Sequence, residues 1–273
     1  MSVVPRNLNC YDELEEEIHR IREFYSCKCE LLFRGQANQN WSLQTTLERV
    51  YSNNMLYHDS YLSTVLKIKP EIESITGVKW ETSIDPQSLV DDPLKEIRLA
   101  LPYLEYLIYL RHHGFPSPLL DWTRSEHIAT FFAFHEKDPS AERVAIYIYI
   151  NSTDEASICD WGGEPQITLH DHPVRSHRRH FIQKACYTTS SKYEKDKNAH
   201  IFVPHESICN EKRKDQNLLF KFTIPAVERK NILRRLDNYN INPYTLYQSE
   251  DSLISTLALR EELAMNLKNL VNS

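Results

Sequence analysis

The sequence predicts an α/β (α+β) fold, a single domain in which a mixed central sheet is flanked by helices. Three observations carry this reading. Residues 143–150 set Val144, Ile146, Ile148 and Ile150 on one face and Ala145, Tyr147 and Tyr149 on the other. A strand apolar on both faces belongs inside a sheet that is covered on both sides. Residues 119–134 read as a strand end that turns directly into an apolar helix, and amphipathic helical periodicity recurs before and after these two stretches.

In chain order, Leu14, Ile18, Ile21 and Tyr25 mark a helix over 12–25, with Asp12 and Glu15 as a capping pair. Cys27-Lys28-Cys29 is too tightly spaced for an ordinary zinc knuckle and reads as a loop feeding a strand at 31–33. Helices follow at 51–67 and 94–112, the second interrupted by Pro102, with a polar connection over 70–93. Gly114, Pro116 and Pro118 stop the second helix. After the strand end at Leu119 and Leu120, Thr123 and Glu126 fit a capping box, and Ile128, Ala129, Phe132 and Ala133 form the buried stripe. Strands are expected at 181–187, with Gln183 on one face, and at 217–224. Pro225 then opens a helix that turns Val227, Ile232, Leu233 and Leu236 inward, and Leu253, Leu257, Leu263, Leu267 and Leu270 define a final helix. The charged run 192–197 reads as a solvated loop.

A net charge of -6 and a pI near 6.1 give no general attraction to nucleic acid, so such a contact needs a local basic patch. Six cysteines without regular spacing argue for reduced thiols rather than a disulfide framework. With no signal layout and no stretch of membrane-span length, the expectation is a soluble, cytoplasmic protein. A Walker loop, a Gly-rich dinucleotide turn, a nucleophile elbow and a His-Glu-x-x-His pair are all absent, which sets aside the better-known enzyme classes.

What remains is Arg34 at a strand end, the hydroxyls of Thr123 and Ser125 at a helix start, and Gln183, which could converge on one cleft. Free amides at that helix start are a seat for anionic or sugar hydroxyl groups. Arg34 has a second reading, as a core ion pair with Asp121. The run 170–180 has three. His170, His172, His177 and His180 could ligate a metal, though no Cys or carboxylate completes a recognisable set; Arg175, Arg178 and Arg179 could clamp phosphate; or the run is a solvated basic loop. No metal is expected.

Two motifs in order resemble a known family. Leu31-Leu32-Phe33-Arg34-Gly35-Gln36, the Trp41–Arg49 segment and the run from His112 through Gly114 and Pro116 to Leu119-Leu120-Asp121-Trp122-Thr123 are similar to the FRG domain. Arg178, Gln183 and Ala185 resemble its later Arg-x-x-x-x-Gln-x-Gly segment, with Ala185 in place of the Gly. Further departures are Arg111 for Gln, His113 for Tyr, Ser117 for Thr and Pro118 for Arg. The resemblance implies a domain over 31–273 behind an N-terminal helical extension of 1–30, with a fold like that of toxin-like ADP-ribosyltransferases. It implies an enzyme that cleaves the nicotinamide–ribose bond of NAD, as a bacterial toxin or phage-defence effector would. Arg34, Thr123, Ser125 and Gln183 would be catalytic, with Glu206 or Glu211 as the acid if neutral Gln183 does not serve. Arg34, Gln36, His112, Asp121, Trp122 and Arg178 would bind NAD, and the acceptor would be protein or nucleic acid. The alternative is a catalytically silent nucleotide- or nucleic-acid-binding module using the same cleft.

Overall fold

The strand with two apolar faces, β4 (Arg143–Asn151), lies between β2 (Glu30–Gln36) and β8 (Leu218–Pro225) and is antiparallel to both. Around them the computed structural model builds an eight-stranded mixed sheet in the order β1-β8-β4-β2-β3-β6-β5. Here β1 is Pro5–Asn7, β3 Leu120–Thr123, β5 Gln166–His170 and β6 Ala185–Glu194, while β7 (Ala199–Phe202) pairs with the far half of β6. Only β1 runs parallel to its neighbour, β8. The structure describes residues 5–25, 30–50, 57–80, 103–151, 165–170, 178–209 and 218–271.

One face of the sheet, carrying Phe33, Ile146, Ile148 and Phe222, is covered by α1 (Tyr11–Phe24), α5 (Glu126–His135), α8 (Arg229–Asn238), α9 (Pro243–Tyr247) and α10 (Glu250–Val271). Leu14, Ile18, Phe131, Phe134, Leu233 and Leu236 fill that core. Thus the residues ahead of Leu31 supply a strand and a helix to the same body. A second core joins α2 (Thr46–Val50), α3 (His58–Thr76) and α4 (Leu104–His112) to Ala185, Tyr187 and Phe202. On the opposite face Leu32, Trp122, Tyr147 and Tyr149 pack with Leu43, and α7 (His205–Cys209) packs against β5 and β6. The short helix α6 (Arg178–Ile182) precedes β6.

Several local signals yield to packing. α3 continues through Pro70 into the stretch expected to be a polar connection, because Val65 is buried and Ile68 and Ile72 pack on the second core; the helix ends at Gly77 in the left-handed region (φ 70°). Residues 51–56 and 81–102, Pro102 included, lie outside the described residues. The strand expected at 181–187 begins only at Ala185, since Phe181 and Ile182 close α6 and Lys184 turns the chain at φ 46°. Val227 is exposed, not inward, and Leu253 and Leu257 face outward. In α10 the buried side chains are instead Ser252, Thr256, Leu259 and Leu263, because the Thr256 hydroxyl accepts from the Tyr244 amide (2.8 Å) and donates to the Ser252 carbonyl (2.8 Å). The side chains of Leu267 and Leu270 lie outside the described residues.

The capping assignments also move. Asp12 and Glu15 do not cap α1 but pair with Arg235 (2.6 and 2.8 Å). Thr123 is not a helix cap: Ser125 holds that position and accepts from the Ile128 amide (3.4 Å), while Glu126 lies inside the helix and pairs with Arg22 (3.0 Å). A reciprocal box appears instead at α2, where the Thr45 amide donates to Glu48 (2.6 Å) and the Glu48 amide to the Thr45 hydroxyl (3.2 Å). The charged run 192–197 is the end of β6 and one 3-10 turn, Lys195–Lys197.

Gly35 fixes how α5 sits on the sheet. A methyl at position 35 would stand 1.9 Å from the Ala129 carbonyl oxygen and 2.6 Å from the Ala133 amide nitrogen, both main-chain atoms that cannot rotate away. Gly35→Ala is therefore expected to cost at least about 3 kcal/mol through overpacking. Gly77→Ala, with open space but a left-handed φ, is expected to cost only about 1 kcal/mol. Urea unfolding midpoints of the two variants check this; equal midpoints would reject the close-contact account.

Candidate functional site

β2 is paired with β4 along all its residues but meets β3 only through Phe33 and Thr123. Past that pair the edge of β2, from Arg34 to Gln36, has no strand beside it among the described residues. A cleft of about 340 Å³ fills the gap. Side chains from both faces of the sheet reach it: Arg34 and Gln36 from one, Asp121, Ala185 and Tyr187 from the other. Phe132 and Glu136 enter from the end of α5, Trp41 and Arg49 from the segment after β2, and Arg179, Gln183 and Tyr247 from beyond β3. Arg34 and Thr123 therefore share one cleft, as a common site requires.

The Arg34 guanidinium is held by a hydrogen bond from Nη1 to the main-chain oxygen of Asp121 (2.7 Å), and its Nε is buried without a hydrogen-bond partner. Burial pushes its pKa down to about 10; Asp121 pulls it up, while Arg111 and Arg49 add to the fall. It stays charged at neutral pH. The expected ion pair between Arg34 and the Asp121 carboxylate is not formed. That carboxylate is gripped on both oxygens by Nε and Nη2 of Arg111, whose Nη1 also donates to the Thr46 hydroxyl (3.1 Å). Burial alone would raise Asp121, yet the Arg111 guanidinium, with Arg34 and His112 adding to it, holds it below the usual carboxylate range. Arg111, one of the positions that departs from the FRG pattern, thus has a defined structural role.

The remaining expected ligand residues line the cleft with one exception. Gln36 is buried; its amide donates to the Ser42 carbonyl (3.3 Å) and its Oε1 has no partner. His112 Nε2 meets the Tyr187 hydroxyl (3.1 Å), and Trp122 donates to the Thr188 hydroxyl (2.8 Å), which also meets His205 Nε2 (2.9 Å). Burial, then the nearby Arg34, pushes His205 down to about 3. The exception is Arg178, which is exposed and does not line the cleft; its neighbour Arg179 does, with its guanidinium over the Tyr247 ring at 5.3 Å.

The hydroxyls assigned to chemistry are committed to the chain. Thr123 donates to the Gln183 carbonyl (2.6 Å) and accepts from the Ser125 amide (3.2 Å), and Ser125 caps α5 without lining the cleft. Gln183 lies in the turn before β6 and donates its amide to the Leu246 carbonyl (3.1 Å). Glu206 accepts from the Leu43 amide (2.9 Å) away from the cleft lining, and Glu211 lies outside the described residues. The carboxylates that line the cleft are Asp121 and Glu136, and the exposed Glu136 has no ion pair or hydrogen bond with a described residue. Sequence reasoning did not name Glu136, Arg49, Trp41, Tyr187 or Tyr247 as site residues; Arg179 carried a signal as part of the basic run, and Trp41 and Arg49 as part of the Trp41–Arg49 motif segment.

Among the described residues no group of three or more His, Cys, Asp or Glu is placed to hold a metal. His170 meets the Thr189 hydroxyl (2.8 Å), His180 stacks on Tyr187, and His172, His177 and Arg175 lie outside the described residues. No described helix is long and apolar enough to cross a membrane.

Residues 29–142 match the family of the FRG domain. Those residues carry an FRG domain. No curated protein and no solved structure matches the chain. The three signature residues divide the work between them, with Phe33 in the core, Arg34 reaching the cleft and Gly35 admitting α5. The matched stretch ends ahead of β4, while Arg179, Gln183, Ala185, Tyr187 and Tyr247 complete the FRG cleft from the later half of the chain.

Two outcomes follow. Arg111 is 11% exposed and Asp121 41%, the latter open to the cleft. Asp121→Asn strands a buried cation and is expected to cost about 3 kcal/mol, whereas Arg111→Gln leaves a carboxylate that cleft water can hydrate and costs about 1–2 kcal/mol. Chemical unfolding of both variants and of the double variant measures the asymmetry and the coupling. His205 gives the second. Its folded pKa lies below the ordinary value near 6.5, so its neutral burial contributes stability that is full above that value and is lost as pH falls toward 3. Stability should decline from about pH 6.5 to 4, less steeply in His205→Gln. A parallel pH profile in that variant would contradict the assignment.

Proposed function

We propose that the FRG cleft binds NAD and that the protein transfers ADP-ribose from it by breaking the nicotinamide–ribose bond. The observation that carries the reading is Arg34: a charged guanidinium at the split of the sheet, one nitrogen buried and unsatisfied, facing a cleft of about 340 Å³. A planar fork of this kind matches the oxygens of a diphosphate. The volume sits at the small end of ligand sites, so it takes part of a dinucleotide and leaves the rest along the open mouth.

Breakage leaves positive charge on the ribose and releases neutral nicotinamide, and an acceptor nucleophile then bonds to the anomeric carbon and gives up its proton. A carboxylate near that carbon lowers the barrier. In this reading Glu136 supplies it, Gln183 offers its remaining amide oxygen to a ribose hydroxyl, and Thr123 and Ser125 position the turn and the helix. Activity of this type on a cellular acceptor is what a toxin or phage-defence effector would need. The second reading, a nucleotide-binding module without turnover, is favoured by one observation: Gln183 is uncharged and its amide is already bonded to Leu246.

Calorimetric titration with NAD, together with release of labelled nicotinamide and transfer of label to a lysate, separates the readings. Arg34→Lys should fold normally and bind about 10- to 150-fold more weakly, the loss of a charged hydrogen bond. Glu136→Gln should keep its affinity and lose nicotinamide release by about 100-fold or more. Binding by the wild type without release would leave the module, and no binding of NAD would remove both readings.

A further inference from the structure

We infer that the rim formed by α6 and α9 binds single-stranded nucleic acid, through base stacking on Phe181 and Tyr244 and phosphate contacts from Arg178 and Lys184. The two short helices pack against each other and are tied by the bond from Gln183 to Leu246. Each presents an aromatic ring to solvent: Phe181 is 61% exposed and Tyr244 46%. Large apolar side chains are exposed elsewhere too, Phe24 and Val227 among them, but these two are aromatic and sit on helices in contact with each other. Arg178 precedes Phe181 by three residues, hence shares its helical face, and Lys184 stands exposed on the tight turn that follows. Neither cation pairs with a described carboxylate. In a chain of net charge -6, exposed rings flanked by cations that have no carboxylate partner among the described residues form the local exception that such binding needs.

The neighbouring acids limit the path. Glu250 and Asp251 are exposed at the start of α10, just past α9, and Glu136 stands in the cleft. Phosphates are therefore placed along the α6 side, with bases turned to the rings. Arg179, Gln183 and Tyr247 belong to the same two helices and the turn between α6 and β6, and they line the cleft, so a strand on this rim lies at the cleft mouth. There it could serve as acceptor, but the binding does not rest on the ADP-ribosyl reading.

Fluorescence anisotropy of the full chain with labelled oligothymidylate and oligouridylate of about twelve nucleotides tests the rim. Saturable binding that weakens steeply with salt is expected. Phe181→Ala and Tyr244→Ala should each weaken it by about fivefold or more, and Arg178→Glu with Lys184→Glu should abolish it at physiological salt. These variants should melt as the wild type does and keep its response to NAD, since none of the four residues lines the cleft. Absence of saturable binding at low salt, unchanged binding in the Arg178→Glu/Lys184→Glu variant, or equal displacement by duplex DNA or polyglutamate would each overturn the proposal.

Discussion

The main chain of α5 lies so close to β2 that only hydrogen fits at position 35, and this contact sets how the β2 and α5 residues of the cleft stand to one another. Side chains alternate along a strand, so a glycine under the helix directs Arg34 and Gln36 to the other face. The same seating carries the last turn of α5 over the free edge of β2, which places Phe132 and Glu136 at the cleft. At its first turn Ser125 caps the helix while Thr123 ties the preceding strand to the Gln183 turn. In the proposed NAD reading their hydroxyls act on the ligand only through the frame they hold.

Around this frame the charges are arranged unequally. Arg111 and Asp121 satisfy each other with fork geometry, which removes one cation and one anion from the balance. Arg34 has no such carboxylate to itself. A buried N–H left unsatisfied costs about 1–3 kcal/mol, and more when the group is charged. Stability alone gives no reason to keep such a group, whereas a ligand with acceptor oxygens, as proposed above, would supply the missing partner. Other buried polar atoms lack a partner too, but Arg34 Nε and Gln36 Oε1 belong to two residues that line the same cleft.

What could be read in the sequence follows from the range of the forces involved. The two-faced strand β4, the turn from β3 into α5 and most helices are written in local periodicity and stand in the structure, while the strand expected to end at Arg34 runs on to Gln36. Capping partners were less legible, because Asp12, Glu15 and Glu126 answer to Arg235 and Arg22, residues far away in the chain. The α10 face was misread because buried hydroxyls of Ser252 and Thr256 satisfy one another's surroundings, which hydrophobic spacing does not encode. At the site, Arg34, Gln36, His112, Asp121 and Trp122 were legible through motif resemblance, whereas Glu136, Arg49 and Tyr247 come from separate segments brought together only by the split sheet.

That split also explains why an arginine stands at its edge. Along β3 successive main-chain groups point to alternate neighbours, and the Arg124 amide donates toward β6, to the Lys184 carbonyl. Trp122 points the same way, so Thr123 and Asp121 point toward β2. Thr123 finds Phe33 there, but one step further the strands have parted, and the Asp121 carbonyl would face an empty gap. The Arg34 guanidinium fills the vacancy: its Nη1 takes the place of the missing backbone donor. One side chain thus completes the hydrogen bonding of the sheet and carries a positive charge into the opening. Removing it would leave the Asp121 carbonyl unmet and the cleft edge without its cation, while lysine could replace the charge but not both directions of bonding. The loss of ladder between β2 and β3 and the presence of the arginine are two halves of one arrangement, in which the sheet gives up backbone pairs and gains a cleft with a fixed cation at its edge.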